Sequence, residues 1–494
     1  MTGEDVIILL PLVIVAAAAV AAMLAIAVRR SHAATAGIAL TGLAAALAEV
    51  LVNLWLKKGY VGHLAVMDNQ ALFVIGLVLA ANLVVGILSY GYLSRRRERA
   101  EEYYVLLLLA ALGGMVLAIS IHFATFFLGL EVLSVSLYGL VAYERGRLGV
   151  EASLKYLVLG GTASAFVFFG MGLVYFDRGS MIFFWVDWLY GQYGPGPLGL
   201  VAMVGCVMMF VGIGFKLAVV PFHLWTADVY QGAPAPVTAL VATVSKGAVL
   251  ALVLRMARGS PWAGYYFGDR AVYYSGGVCP SAPVFWILAA IAVASMFTGN
   301  LLALRQRNVK RLLAYSSISH LGYLLVAVLV SGAAGATAAG FYLVTYFAAT
   351  LAAFGVVTAL SGANGEAESL EDYRGLAWRR PALAALMTVA MLSLAGIPLT
   401  AGFVGKFYLL TAGAGAGLWA LVIILVANSG IGLFYYLRVV WAMFERRATE
   451  EKELPRIGVA TGVVLAGLGA AVVLIGVWPG PLAELVRAWM GGGW

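Results

Sequence analysis

Apolar runs of about 20 residues recur along the whole of this chain, from DVIILLPLVIVAAAAVAAML near its start to GVVLAGLGAAVVLIGVW near its end. A helix of that length crosses the ~30 Å hydrocarbon core of a bilayer. In lipid every backbone N–H and C=O must find a partner within the protein, so only helices and closed barrels span. A barrel would show short segments of alternating polarity rather than continuous apolar runs. The fold class expected is therefore an all-α polytopic membrane protein. Composition agrees: 63% of residues are hydrophobic, 11% are charged, and mean hydropathy is +0.97. A globular domain carries about 25% charged residues.

Fourteen spans are expected, at 5–28, 34–56, 69–93, 104–120, 122–143, 152–175, 198–227, 235–257, 283–304, 311–330, 334–360, 381–411, 414–444 and 457–480, and they are numbered 1 to 14 in that order. Connections are short apart from 176–197, 258–282 and 361–380. The acidic N-terminus and its long apolar run do not fit a cleaved signal peptide, so span 1 is read as retained. Leu482, Leu485 and Trp489 fall on one side of a short interfacial helix in the tail. Nineteen of the 31 Lys and Arg residues fall in alternate connections, among them Arg95, Arg96, Arg305, Arg307, Lys310 and Arg311. Six fall in the opposite connections and six in or beside spans. The positive-inside rule then places both termini outside. The net charge of +8 is explained by these membrane-edge clusters, without nucleic acid.

Four charges interrupt the apolar runs: Glu131 on span 5, Lys216 on span 7, Lys246 on span 8 and Lys406 on span 12. A charge at mid-membrane costs about 2.5–3.5 kcal/mol on insertion scales, and such residues mark function by default. Spans 7 and 12 also look broken. Pro221 follows Lys216, while Gly396, Pro398 and Gly402 precede Lys406. Proline removes a backbone hydrogen bond and clashes with the preceding turn. Paired broken helices five spans apart are the mark of inverted-repeat transporters; ordinary proline kinks are the alternative. The expected organisation is three N-terminal spans (1–103), a first five-helix repeat (104–257), an extramembrane connection (258–282), a second repeat (283–444), and a last span with tail (445–494).

Desolvation favours the neutral form of Glu131, and a cationic partner would restore its charge. Lys216 is the natural partner, and a static pair that only fixes packing is the alternative. Lys216 and His223 are seven residues apart, so they share a face if that helix is continuous. Lys246 lies about eleven residues from either end of its span, with Thr243 one turn before it and Thr238 further down. A desolvated lysine gives up its proton readily, which suits a relay. His320 on span 10, among Ser316, Ser317 and Ser319, is a candidate relay group or a satisfied packing residue. Lys155 and Glu49 are further candidates; snorkelling to the interface is the plainer reading of Lys155, and Glu49 lies outside both repeats. His122 falls at a helix end. Ionisable groups spread over several helices suit proton movement. They do not suit a metal site, which needs clustered ligands, or covalent catalysis, which needs a nucleophile and base in a cleft. Cys206 and Cys279 are too few for a metal site or disulfide framework, and no Gly-rich nucleotide motif occurs.

GFKLAVVPFHLWTADVYQGAPAPVTALVATVSK, NVKRLLAYSSISHLGYLLVA and AGIPLTAGFVGKFYLL closely resemble the subunit N family of bacterial respiratory complex I, the proton-translocating NADH:quinone oxidoreductase. The resemblance covers about 104–445. This family belongs with the antiporter-like subunits L and M and the Mrp cation/proton antiporters. It implies fourteen helices, with two inverted five-helix repeats and broken spans 7 and 12. It implies a proton relay through Glu131, Lys216, Lys246 and Lys406, with His223 and His320 near its axis. It further implies that this chain binds no cofactor, and that NADH, FMN, iron–sulfur clusters and quinone belong to other subunits. The implied partners are subunit M, small membrane subunits such as K, membrane lipid and protons. In the implied mechanism, opening of a Glu131–Lys216 pair shifts Lys246, which passes a proton toward Lys406. An Mrp-type antiporter, a related complex using reduced F420, ferredoxin or formate, and a non-transporting scaffold remain as alternatives.

Overall fold

The computed structural model describes residues 3–53, 58–96, 99–183, 199–258, 266–267, 270–271, 283–330, 332–363, 365–445 and 455–491. Most of the connections expected at 176–197 and 258–282 lie outside these residues, as does Cys279. Thirteen helices among the described residues are long and apolar enough to cross a membrane. The fourteenth crossing, span 12, is the pair Pro381–Ala395 and Ala401–Gly415, each half too short to cross alone. The N-terminal spans are Leu10–Val28, His32–Asn53 and Asn69–Leu93. Spans 4 to 7 are Glu101–Ile119, Phe123–Val141, Arg147–Arg178 and Leu200–Leu217. Spans 9 to 11 are Pro283–Leu304, Val309–Val330 and Gly332–Leu360, and the last two are Trp419–Phe444 and Val459–Val477.

Helix starts follow local chemistry. Asp68 caps span 3 by accepting from the backbone N–H of Ala71 at 2.7 Å, and His122 caps span 5 by accepting from Ala124 N at 3.0 Å. Packing then sorts the spans. The interior is formed by spans 8, 10 and 11, each 94% buried over its apolar window, whereas span 14 is 11% buried. Span 4 packs closely on span 5 and span 6 on span 7; span 9 packs in the same way on span 10 and span 11 on span 12. The tail forms the helix Gly480–Val486, extended by a wide turn to Gly491. Its docked face differs from the expected one: Ala483, Val486 and Met490 are buried while Leu485 is exposed. The cause is tertiary, since Val486 and Met490 pack against Gly340 of span 11.

Candidate functional site

Span 7 ends its first half at Leu217. Ala218 is left-handed (φ 59°), its N–H donates to Phe215 O, and Val219 N donates to Gly214 O. That is a Schellman stop, which satisfies orphan carbonyls at a helix C-terminus. Trp225 Nε1 takes Phe215 O as well at 3.0 Å, and Ser295 accepts from Val220 N. The second half runs Thr226–Gly232. Span 12 stops in the same way at Gly396 (φ 83°), with Ile397 N donating to Leu392 O at 3.0 Å. Both expected breaks are real, and both freed ends are satisfied inside protein, as lipid requires.

The lysines lie in the interior. Lys216 and Lys246 are 2% exposed, His320 3% and Lys406 6%. Lys216 Nζ donates to Ser134 Oγ of span 5 at 2.6 Å and lies over the rings of Tyr138 and Tyr156 at 5.4 and 5.2 Å. The direct contact expected with Glu131 is not formed. Glu131 is half-buried, on the side of span 5 that carries the exposed Leu128 and Val135. It accepts from Ser164 of span 6 and is near enough for Lys216 to feel its charge. Among the described residues no ion pair joins the two. His223 does not share a face with Lys216 either, because the helix stops between them. His223 is half-buried in the turns of the break, beside the backbone of Pro221.

Span 8 comprises Ala235–Leu240, a π-turn at Val241–Ser245, and Lys246–Arg258. A π-turn inserts a residue into the helical phase and recurs at functional sites. Here it immediately precedes Lys246. Nζ of that residue donates to Ser317 Oγ of span 10 at 2.6 Å. Ser317 also receives the hydroxyls of Tyr346 at 2.7 Å and Tyr230 at 3.3 Å. Thr243 instead donates to Ala239 O within its own helix. Tyr156, beneath Lys216, lies beside Ser245, the neighbour of Lys246.

His320 stands between the central and distal lysines and within the field of both Lys246 and Lys406. Its two ring nitrogens meet Tyr342 Oη at 2.6 Å and Tyr436 Oη at 3.0 Å. A cavity with room for about one water lies beside it, lined by Thr345, Tyr346, Ser393 and Gly402 among others. Beyond it, Lys406 Nζ donates to Leu394 O at 3.0 Å, Ala395 O at 2.8 Å and Ser429 Oγ at 2.8 Å. The two carbonyls belong to the C-terminus of the first half of span 12, the negative end of its dipole. A Cβ on Gly396 would meet Lys406 Cδ at 2.8 Å, and one on Gly402 would meet Ser393 O at 1.8 Å. Glycine at both positions lets the lysine and the two half-helices approach.

The remaining candidates lie apart. Lys155 is 44% exposed and pairs with Glu151 and Asp228, each at 2.9 Å. Glu49 is half-buried on span 2, which packs mainly against spans 1, 3 and 4. Sequence reasoning missed the serine and tyrosine partners Ser134, Ser164, Tyr342 and Tyr436; Tyr342 and Tyr346, one turn apart on span 11, were the visible signal. It also counted Lys310 among the loop charges, whereas its side chain is 0% exposed. No group of three or more His, Cys, Asp and Glu side chains suited to a metal occurs among the described residues.

This arrangement defines a class: a multi-pass membrane protein whose interior carries ionisable and hydroxyl groups across several helices. A family model described as NADH:quinone oxidoreductase/Mrp antiporter, TM, matches residues 120–432, and the chain belongs to that family. It is a homologue of subunit N of complex I with the antiporter-like fold. A curated relative, NADH-quinone oxidoreductase subunit N of Chromohalobacter salexigens, is 46% identical over 98% of each chain. A solved chain of respiratory complex I from Thermus thermophilus, with bound aureothin, aligns at 34% identity and TM-score 0.81, covering 98% of this chain and 100% of that one. A chain of the Mrp complex from a Dietzia species aligns at 21% identity and TM-score 0.83, over 99% and 98% of the two chains, and shares the fold.

Proposed function

We propose that this chain moves protons across the membrane as a subunit of an NADH:quinone oxidoreductase, through Glu131, Lys216, Lys246, His320 and Lys406, while redox chemistry takes place in other subunits. The observation that carries the reading is His320, hydrogen-bonded through both ring nitrogens and set between two buried lysines. A neutral imidazole accepts a proton at one nitrogen and releases one from the other, so it can pass charge without moving far. Lys246 reaches it through Ser317 and Tyr346. Glu131 and Lys216, linked through the field rather than by contact, set the state of Lys246 from the other side. His223 is an accessory group beside the backbone of Pro221; Lys155 and Glu49 are left as peripheral charges. Pro221 and Pro398 mark breaks that keep polar backbone beside Lys216 and Lys406. The similar stops and matching helix pairs support two inverted repeats at 104–257 and 283–444.

The charge bias supports both termini outside, and the kinship supports a bacterial or archaeal plasma (inner) membrane as the setting. The kinship supports neighbours such as subunit M and small subunits such as K, with NADH, FMN, iron–sulfur clusters and quinone held elsewhere in the complex. Reconstitution of the whole complex in vesicles tests the reading. Glu131→Ala, Lys216→Ala and Lys246→Ala are expected to lower protons moved per electron while the complex still assembles. Wild-type ratios in all three would sink the relay.

A further inference from the structure

A second buried charge cluster lies at the basic-loop end of the interior, outside the relay. Lys310, fully buried at the start of span 10, donates to Gln231 O at 2.9 Å and Ala233 O at 2.6 Å and forms an ion pair with Glu366. Glu366 belongs to the connection after span 11, and its side chain is 7% exposed. It accepts from Ala235 N at 2.7 Å, at the start of span 8, and from Tyr92 Oη at 2.5 Å. Tyr92 receives Arg96 at 2.9 Å, and Arg96 reaches Glu144 at 3.2 Å. Glu368 stands 3.8 Å from Lys310 Nζ. The side chains of Glu144 and Glu368 are 29% and 28% exposed, so the cluster runs from a wet rim to a dry centre.

The same cluster points toward Lys246. Lys310 and Ser317, the hydroxyl partner of Lys246, are two turns apart on one face of span 10, about 10 Å along its axis. Between them Thr238 donates to Tyr230 O and Ala233 O, the second shared with Lys310, and Tyr230 Oη reaches Ser317.

We propose that Glu366 is the group that takes up protons from the basic-loop side and feeds Lys246, with Lys310 as the cation that controls it. This rests on the relay reading above. The carboxylate takes a proton from water at the Glu144–Glu368 rim and becomes a carboxylic acid. It then yields that proton, along Thr238, Tyr230, Ser317 and intervening water, to the neutral amine of Lys246, which becomes an ammonium. The carboxylate is thereby restored. Burial pushes the Glu366 carboxyl up, but the charge of Lys310 and the hydrogen bonds from Lys310, Tyr92 and Ala235 N outweigh it and hold the group below the usual carboxylate range. Uptake therefore occurs only when Lys310 leaves the carboxylate for the carbonyls of Gln231 and Ala233, which it already touches.

The test uses the assembled complex in vesicles, reading protons per electron beside electron-transfer rate. Glu366→Gln keeps the size and one acceptor oxygen, but its amide nitrogen donates where the second oxygen accepted from Lys310, and it cannot carry the proton. It is expected to lower the ratio to the level of Lys246→Ala, to add nothing to that variant when combined with it, and to regain most of the ratio as Glu366→Asp. A wild-type ratio in Glu366→Gln beside a lowered one in Lys246→Ala overturns this inference and leaves the relay standing. Wild-type ratios in both remove the relay itself. Where Glu366→Gln assembles poorly, Lys310→Gln/Glu366→Gln removes both buried charges together. A normal ratio in that double variant, or poor assembly shared with Glu366→Asp, identifies a pair that only fastens the loop and overturns the inference.

Discussion

Span 7 stops at Leu217 with Ala218 left-handed, and span 12 stops at Ala395 with Gly396 left-handed. The backbone device is shared, but the lysines sit on opposite halves. Lys216 is in the last turn before its break and gives one hydrogen bond, to Ser134, beneath aromatic rings. Lys406 follows its break and reaches back to two carbonyls and Ser429, so all three ammonium protons are taken. The difference teaches that a broken helix can either release a lysine or clamp it, according to which half carries it. Lys216 is suited to respond to a change in the field of Glu131; Lys406 is suited to hold charge at one end of the route.

Five substitutions would break or sharpen this contrast. The largest effect is expected from Gly402→Ala. Its methyl would enter the space of a backbone carbonyl, Ser393 O, so the halves of span 12 must separate. A loss of more than about 3 kcal/mol is expected, read as failed assembly or a steep fall in thermal stability. Next comes Gly396→Ala, which adds about 1–2 kcal/mol of left-handed strain and crowds Lys406. Its reciprocal, Ala218→Gly, is expected to change stability by less than about 1 kcal/mol, because relief of strain offsets the lost buried methyl. Equal melting shifts in the two would show that the stops differ less than the geometry indicates. The smallest difference within a pair is expected between Ser134→Ala and Ser429→Ala. Ser134→Ala removes the single hydrogen bond of Lys216, worth about 1.5–3 kcal/mol for a charged donor, and is expected to lower pumping. Ser429→Ala leaves Lys406 its two carbonyls and is expected to cost about half as much; the reverse order, measured as protons per electron, would refute the clamp.

Much of this site was legible before the fold. The apolar runs gave the spans, and the breaks at Pro221 and Pro398 followed from the backbone chemistry of proline and glycine, which is local. The buried lysines were legible because a charge in an apolar run has no cheap explanation. Lys310 was not, because it begins span 10 beside Arg307 and Arg311 and looks like one of several edge charges. The return of residues 365–370, which brings Glu366 over it, and the carbonyls of Gln231 and Ala233 make it an interior residue.

The sequence by itself determined which solvent this chain folds in, how many times it crosses, where two crossings break, and which ionisable groups the interior must hold. Each of these depends on residues within one helix length. Tertiary structure alone decided the partners. Ser134 rather than Glu131 receives Lys216: Ser134 is buried in the interior, whereas Glu131 lies on the side of span 5 that carries Leu128 and Val135 and accepts from Ser164 of span 6. His320 likewise gains its role from Tyr342 and Tyr436, 22 and 116 residues away in the chain. A contact across that much sequence is fixed by how whole helices pack, which no local pattern records.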